Sequence, residues 1–162
     1  LERIGKKLGS KITLRVGFLE GATYPTGPSH ATRLAYSERR KAGKRGAIQG
    51  QRGGQPVAMV AAVNNYGAPS RGIPPRPFFS NMVKEKSPAW PRAIALNLKA
   101  TQFDAEATMR RMGEAIQGQL KQSIRDFNSV PLSPKTIARK GFDKQLIDSS
   151  HMWNSVDFEL EA

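Results

Sequence analysis

The chain has 162 residues, with 26 Lys and Arg against 13 Asp and Glu, a formal net charge of +13 and no cysteine. That length predicts a single domain over residues 1–162 with one hydrophobic core, and the missing thiols exclude disulfide frameworks, thiolate metal sites and cysteine nucleophiles. No apolar run approaches the roughly 20 residues needed to span a bilayer, the start lacks a signal-peptide core, and the basic excess implies an anionic partner, with nucleic acid the usual candidate.

Ile4 and Leu8 lie four apart among Arg3, Lys6 and Lys7, which suggests a short basic helix, although Gly5 and Gly9 weaken it. Ile12, Leu14, Val16 and Phe18 then alternate with Thr13, Arg15 and Gly17, the period-two pattern of a strand over about Lys11–Leu19 with one buried face.

From Gly21 to Pro56 the character changes to Gly, Pro, Ser and Gln interleaved with cations. Within it, residues 27–54 carry Arg33, Arg39, Arg40, Lys41, Lys44, Arg45 and Arg52 against the single acid Glu38. Such a segment cannot supply much core. It reads as a long basic loop or extended hairpin, and loops of that length inside a domain are usually functional or disordered. Leu34, Tyr36 and Ile48 could anchor it once a partner is present. Three fates stay open for it: lining a DNA channel, gripping a neighbouring protein, or remaining a solvated arm.

Val57–Tyr66 is rich in Ala and Val and ends at Gly67, favoured just past a helix C-terminus. A short buried helix is expected, although the alternation would also suit a strand. Pro74, Pro75 and Pro77 then fix an extended entry, and Pro77 suits the first turn of a helix with Phe79, Met82, Val83 and Lys86 on one side. Pro88 and Pro91 interrupt that helix and restart one with Trp90, Ile94 and Leu98 inward.

The clearest helix runs over about Asp104–Phe127, with Met109, Met112, Ile116, Leu120, Ile124 and Phe127 on one stripe. It would be roughly 36 Å long. Gly113 and Gly118 inside it each cost about 1 kcal/mol relative to Ala, so packing must compensate. Ser133-Pro134 looks like an N-cap followed by proline at the first helical position, opening a helix to Lys140 that Gly141 stops. Finally Val156, Phe158 and Leu160 alternate with Asp157, Glu159 and Glu161, a closing strand antiparallel to the first. The expected class is α+β: a small antiparallel sheet made of the N- and C-terminal strands, packed against a long helix and shorter helices, with a long basic loop.

Catalytic constellations are missing. His30 and His151 lack companions at ligand spacing; His30 reads as solvated and His151 as helping to start the last short helix. The glycines around Lys44, Arg45 and Arg52 lack the strand before and the helix after that a phosphate-cradling loop needs. Asp143, Asp148 and Asp157 are scattered acids rather than a pair. No catalytic residue, metal or cofactor is assigned, and the expectation is a protein that is not an enzyme.

Four segments in order carry a resemblance: Val63-Asn64-Asn65-Tyr66-Gly67, then Gly72-Ile73-Pro74-Pro75-Arg76-Pro77-Phe78-Phe79, then Pro131 to Gly141, then Leu146-Ile147-Asp148 with His151-Met152-Trp153-Asn154-Ser155-Val156. Together they resemble the bacteriophage head-to-tail joining, or tail-completion, family. The strand over Ile12–Leu19 also fits that family's opening strand. The departures are Ser150, where these proteins commonly have glycine in a turn, and the long basic insertion Gly27–Gly54.

The resemblance implies a virion protein, assembled in the host cytoplasm, forming a typically sixfold homo-oligomeric ring in the neck. Its neighbours would be the head connector and the tail tube or terminator, with genomic DNA in the channel and no membrane involved. A ring needs heterologous interfaces. Arg76, Phe78, Phe79, Pro131, Pro134 and Lys140 are the subunit-interface candidates, although the Arg-Pro-Phe segment first turns the chain and packs Phe78 or Phe79 into the core. The basic arm would face DNA or a neighbouring ring. The competing reading, from charge alone, is a free-standing nucleic-acid-binding protein, but the basic stretch lacks an aromatic-rich binding motif.

Overall fold

The computed structural model describes residues 11–24, 54–147 and 150–161, with the side chain of Arg139 left aside. The expected helix around Ile4–Leu8 and nearly all of the basic segment therefore lie outside the described residues.

Strand β1 (Thr13–Phe18) pairs antiparallel with β2 (Val156–Glu161), from Thr13 opposite Glu161 to Phe18 opposite Val156. The two ends of the domain thus close on one another, and the α+β class read from the sequence holds. Arg15, Glu159 and Glu161 project from the exposed face of this ribbon, while Val156 is buried and Phe158 and Leu160 half-buried on the other. A two-stranded ribbon is marginal alone in water. Here its apolar face lies on helix α4 (Ala105–Asp126).

Helix α4 has Asp104, read as its first residue, as its N-cap instead: the Asp104 carboxylate accepts a hydrogen bond from the Ala107 N–H at 2.9 Å. Its buried residues are Thr108, Met112, Gly113, Leu120 and Ile124. The expected stripe is thus right in phase, but Met109, Ile116 and Phe127 are only half-buried. Gly113 adds a buried contact that the stripe does not include. A Cβ there would lie 2.4 Å from Cδ2 of Phe158, so the absent side chain lets the ribbon's ring sit directly on the helix backbone. The packing compensation expected for this glycine is that close approach. Gly118 has nothing within 4 Å of the equivalent position.

Before α4 the chain forms α1 (Val57–Tyr66), α2 (Phe78–Lys86) and α3 (Trp90–Ala100), with one-turn 3₁₀ segments at Pro69–Arg71 and Ser87–Ala89. The α2 helix starts one residue later than expected, with Pro77 as its N-cap rather than its first residue. Its inward residues are Phe78 and Met82, flanked by half-buried Phe79 and Val83, whereas Lys86 points outward and pairs with Glu85 at 2.6 Å.

Helices α3 and α4 form an antiparallel hairpin stitched by polar contacts: Trp90 Nε1 donates to Gln119 Oε1 at 3.1 Å, Asn97 Nδ2 to Met112 Sδ at 3.6 Å, and the Thr101 and Thr108 hydroxyls bond at 2.7 Å. Trp90, Ile94 and Leu98 are half-buried along this seam. After α4 come α5 (Pro134–Lys140), α6 (His151–Asn154) and β2. The core gathers Tyr24, Val57, Ala61, Phe78, Met82, Leu120, Ile124, Leu146, Met152 and Val156 from nearly every element.

Candidate assembly surface

Two features of the sequence singled out for function, the root of the basic segment and the proline motif, are fixed to opposite ends of helix α1. The basic residues Arg33, Arg39, Arg40, Lys41, Lys44, Arg45 and Arg52 lie outside the described residues, but the root from which they leave and to which they return is described. Tyr24 N–H donates to Gln55 O at 2.9 Å, Gly54 N–H to Tyr24 O at 2.8 Å, and Val57 N–H to Ala22 O at 2.9 Å. This antiparallel clamp fixes both ends of the segment at the N-terminus of α1.

The clamp is anchored in the core. Tyr24 is buried, and its ring lies 4.7 Å from that of His151 at a tilt of 48°. His151 Nε2 bonds Thr23 O at 2.8 Å; a carbonyl only accepts, so this nitrogen carries the proton. His151 does begin α6, as its sequence position implies, and it also ties α6 to the root.

At the other end of α1 the first two quoted segments fold into one corner. Asn65 is buried, and its Oδ1 accepts from the N–H groups of Phe79 and Ser80, both at 3.1 Å, while its Nδ2 donates to Ser80 Oγ at 2.7 Å. A side chain from α1 thereby satisfies first-turn donors of α2 that Pro77 cannot cap. Arg76 N–H donates to Asn64 O at 2.7 Å, and Gly67, at φ 76°, lets Ile73 O and Pro75 N approach to where a Cβ would stand 2.8 Å away. Ile73 to Pro75 can therefore lie directly on the end of α1.

The corner leaves two side chains unengaged within the described residues. Tyr66 is 73% exposed, the most exposed of their large apolar side chains. Arg76 is half-buried, yet among the described residues its buried Nε has no hydrogen-bond partner and its guanidinium makes no ion pair. Burial holds its pKa below the usual arginine value. An unpaired, partly desolvated guanidinium is costly to the subunit, and such residues concentrate at functional surfaces.

The remaining interface candidates divide clearly. Phe78 is 1% exposed and packs edge-to-face on Phe18 at 6.5 Å, so its ring is committed to the core and offers no surface to a neighbour. Phe79 is half-buried, and Pro131 and Pro134 are exposed. Lys140 is buried, with Nζ donating to Lys144 O and lying 4.9 Å from the centre of the Phe142 ring, so it closes the turn after α5 instead of projecting outward. Helix α5 is held by the Ser133 side chain at its start and by Gly141, at φ 80°, at its end.

Sequence reasoning missed Asn65 and Gln117. Two adjacent asparagines closing an Ala- and Val-rich helix are the signal for the first, because asparagine is a poor helix former with a side chain suited to capping. Gln117 Nε2 donates to Val156 O at 2.9 Å, pinning the start of β2, and nothing in its sequence context marks it. Among the described residues there is no group of three His, Asp or Glu able to hold a metal ion, and no helix is long and apolar enough to cross a membrane. Comparison with family models, curated proteins and solved structures found no match for this chain.

Proposed function

We propose that this chain is a structural subunit of the neck of a long-tailed bacteriophage, forming a ring between the DNA-filled head and the tail. The observation that carries the reading is the corner at the end of α1. The Val63–Gly67 and Gly72–Phe79 segments, which carry the family resemblance, are bound to each other through Asn64 and Asn65 and hold Tyr66 and Arg76 at the surface. Tyr and Arg are the side chains that concentrate binding energy at protein interfaces, and a half-buried unpaired cation costs an isolated subunit stability that an assembled one recovers. The basic segment rooted at the opposite end of α1 supplies the charge for an anionic neighbour, either genomic DNA in the channel or an acidic ring above or below.

The test is assembly. Purified chain should self-associate into closed rings visible by electron microscopy, with sixfold averages expected. A phage carrying a disrupted gene for this protein should accumulate separate filled heads and tails. A small, salt-sensitive complex with free duplex DNA, together with normal head-to-tail joining in the disrupted phage, would overturn the reading in favour of a free-standing nucleic-acid-binding protein.

A further inference from the structure

The ion pairs of the described residues are matched one base to one acid, with one exception. Lys86 pairs with Glu85, Arg110 with Glu106 and Arg125 with Asp126. On the outer face of the ribbon, however, Arg15 alone faces both Glu159, at 3.3 Å, and Glu161. These three side chains remain about half exposed, so the ribbon presents a carboxylate in excess of its cation. The corner of α1 shows the opposite imbalance, because Arg76 is half-buried with no carboxylate paired to it among the described residues. Within the described residues of one subunit the two groups are not paired. Phe18, at the near end of β1, packs on Phe78 beside Arg76, whereas Glu161 lies opposite Thr13 at the far end of the ribbon.

We infer that the partner of the Tyr66–Arg76 corner is a second copy of this chain, which places the Glu159–Glu161 face of its ribbon against the corner head to tail. The inference rests on the ring reading and names the two faces that close it. A heterologous contact requires two different, complementary patches on every subunit, and here one carries a surplus base and the other a surplus acid. Arginine suits this role because its planar fork engages a carboxylate through two parallel hydrogen bonds. Exposed Pro74 and Pro75, rigid beside Arg76, hold the patch in shape before contact. Tyr66 adds a broad apolar surface at small entropic cost.

The experiment is sedimentation velocity on the full chain up to millimolar concentration, with wild type beside the charge variants. Arg76→Glu should weaken self-association about 30-fold or more, the range expected when one partner of an interfacial charge pair is removed. Glu159→Arg with Glu161→Arg should do the same, and the chain carrying all three changes should recover association. Arg76→Met serves as the folding control. It removes the unpaired charge while keeping the packed stem, so thermal stability should hold or rise while association falls. Wild-type association unaltered by Arg76→Glu would overturn this interface and leave the ring intact, as would failure of the triple variant to recover. A wild type that stays monomeric at every concentration, and forms no rings, would overturn the ring reading along with it.

Discussion

Replacing the two glycines of α4 with alanine separates a packing requirement from a helix preference. Within one helix both substitutions gain the same intrinsic propensity, about 0.8–1 kcal/mol. At Gly118 nothing lies within 4 Å of the new methyl, so that gain should appear almost in full. At Gly113 the methyl would meet Phe158 Cδ2 at 2.4 Å, Cγ at 2.7 Å and Cε2 at 2.8 Å. Carbon atoms settle at roughly 3.5–4.0 Å, so the ring must retreat by about 1 Å while its backbone stays tied to β1 opposite Val16. Overpacking of this kind costs about 1–3 kcal/mol. Gly113→Ala should therefore be less stable than Gly118→Ala by about 1–3 kcal/mol. Because a chain of this size moves about 2–4 °C per kcal/mol, the two melting curves should separate by several degrees. Combining Gly113→Ala with Phe158→Ala should remove most of the penalty, which a double-mutant cycle measures directly. If Gly113→Ala stabilises as much as Gly118→Ala, the ribbon does not seat on this helix as described.

The other expectations concern the core, the corner, strained turns and the basic segment. Leu120→Ala should cost about 2–5 kcal/mol in denaturant unfolding, and Ile116→Ala clearly less, since Leu120 is fully buried and Ile116 only half-buried. Equal losses would mean that α4 presents a different face. Asn65→Ala should cost about 1–3 kcal/mol by leaving first-turn donors of α2 without their acceptor, read as a lowered unfolding midpoint; an unchanged midpoint would refute the cap. Ser150 and Gln102 sit at φ 58° and 53°, where a side chain costs about 1–2 kcal/mol, so Ser150→Gly and Gln102→Gly should each leave the melting temperature unchanged or higher. Replacing Arg39, Arg40, Lys41, Lys44 and Arg45 with Gln should flatten the salt dependence of DNA binding by about 0.9 in log–log slope for every phosphate the arm no longer neutralises, whereas an arm that grips a protein would show normal DNA binding and failed head-to-tail joining.

Elements whose signals are local are legible in the sequence. The two strands show in their alternation, α4 in its periodic stripe, α5 in the pairing of Ser133 with Gly141, because each depends on residues a few positions apart. Features made by distant segments meeting are not. Gly113 reads as a cost because its benefit is supplied by Phe158 in the last strand. Pro77 reads as part of α2 but stands as its N-cap, and the N–H groups of Phe79 and Ser80 are served by Asn65 from another helix, which no local pattern announces. Phe78 suits both core and interface until Phe18 is placed against it. The corner itself is legible only in part: its segments stand out, but the fact that Arg76 lacks an acid depends on where the carboxylates lie in space.

The distribution of charge across the fold bears on how one subunit could serve both DNA and protein neighbours. Helix α1 is a rigid spacer with the basic segment clamped at its first turn through Tyr24 and Val57, and the Asn65 corner fixed at its last. Its ten residues set these two outlets about 15 Å apart along the axis. The root of the segment and the Arg76 corner therefore stand farther apart than the roughly 8 Å over which physiological salt screens a charge, so the corner is electrically independent of the point where the segment is anchored. Arg76→Glu should therefore prevent ring closure while leaving the salt dependence of DNA binding by the basic segment unchanged. A changed salt dependence in that variant would show that the two outlets are coupled.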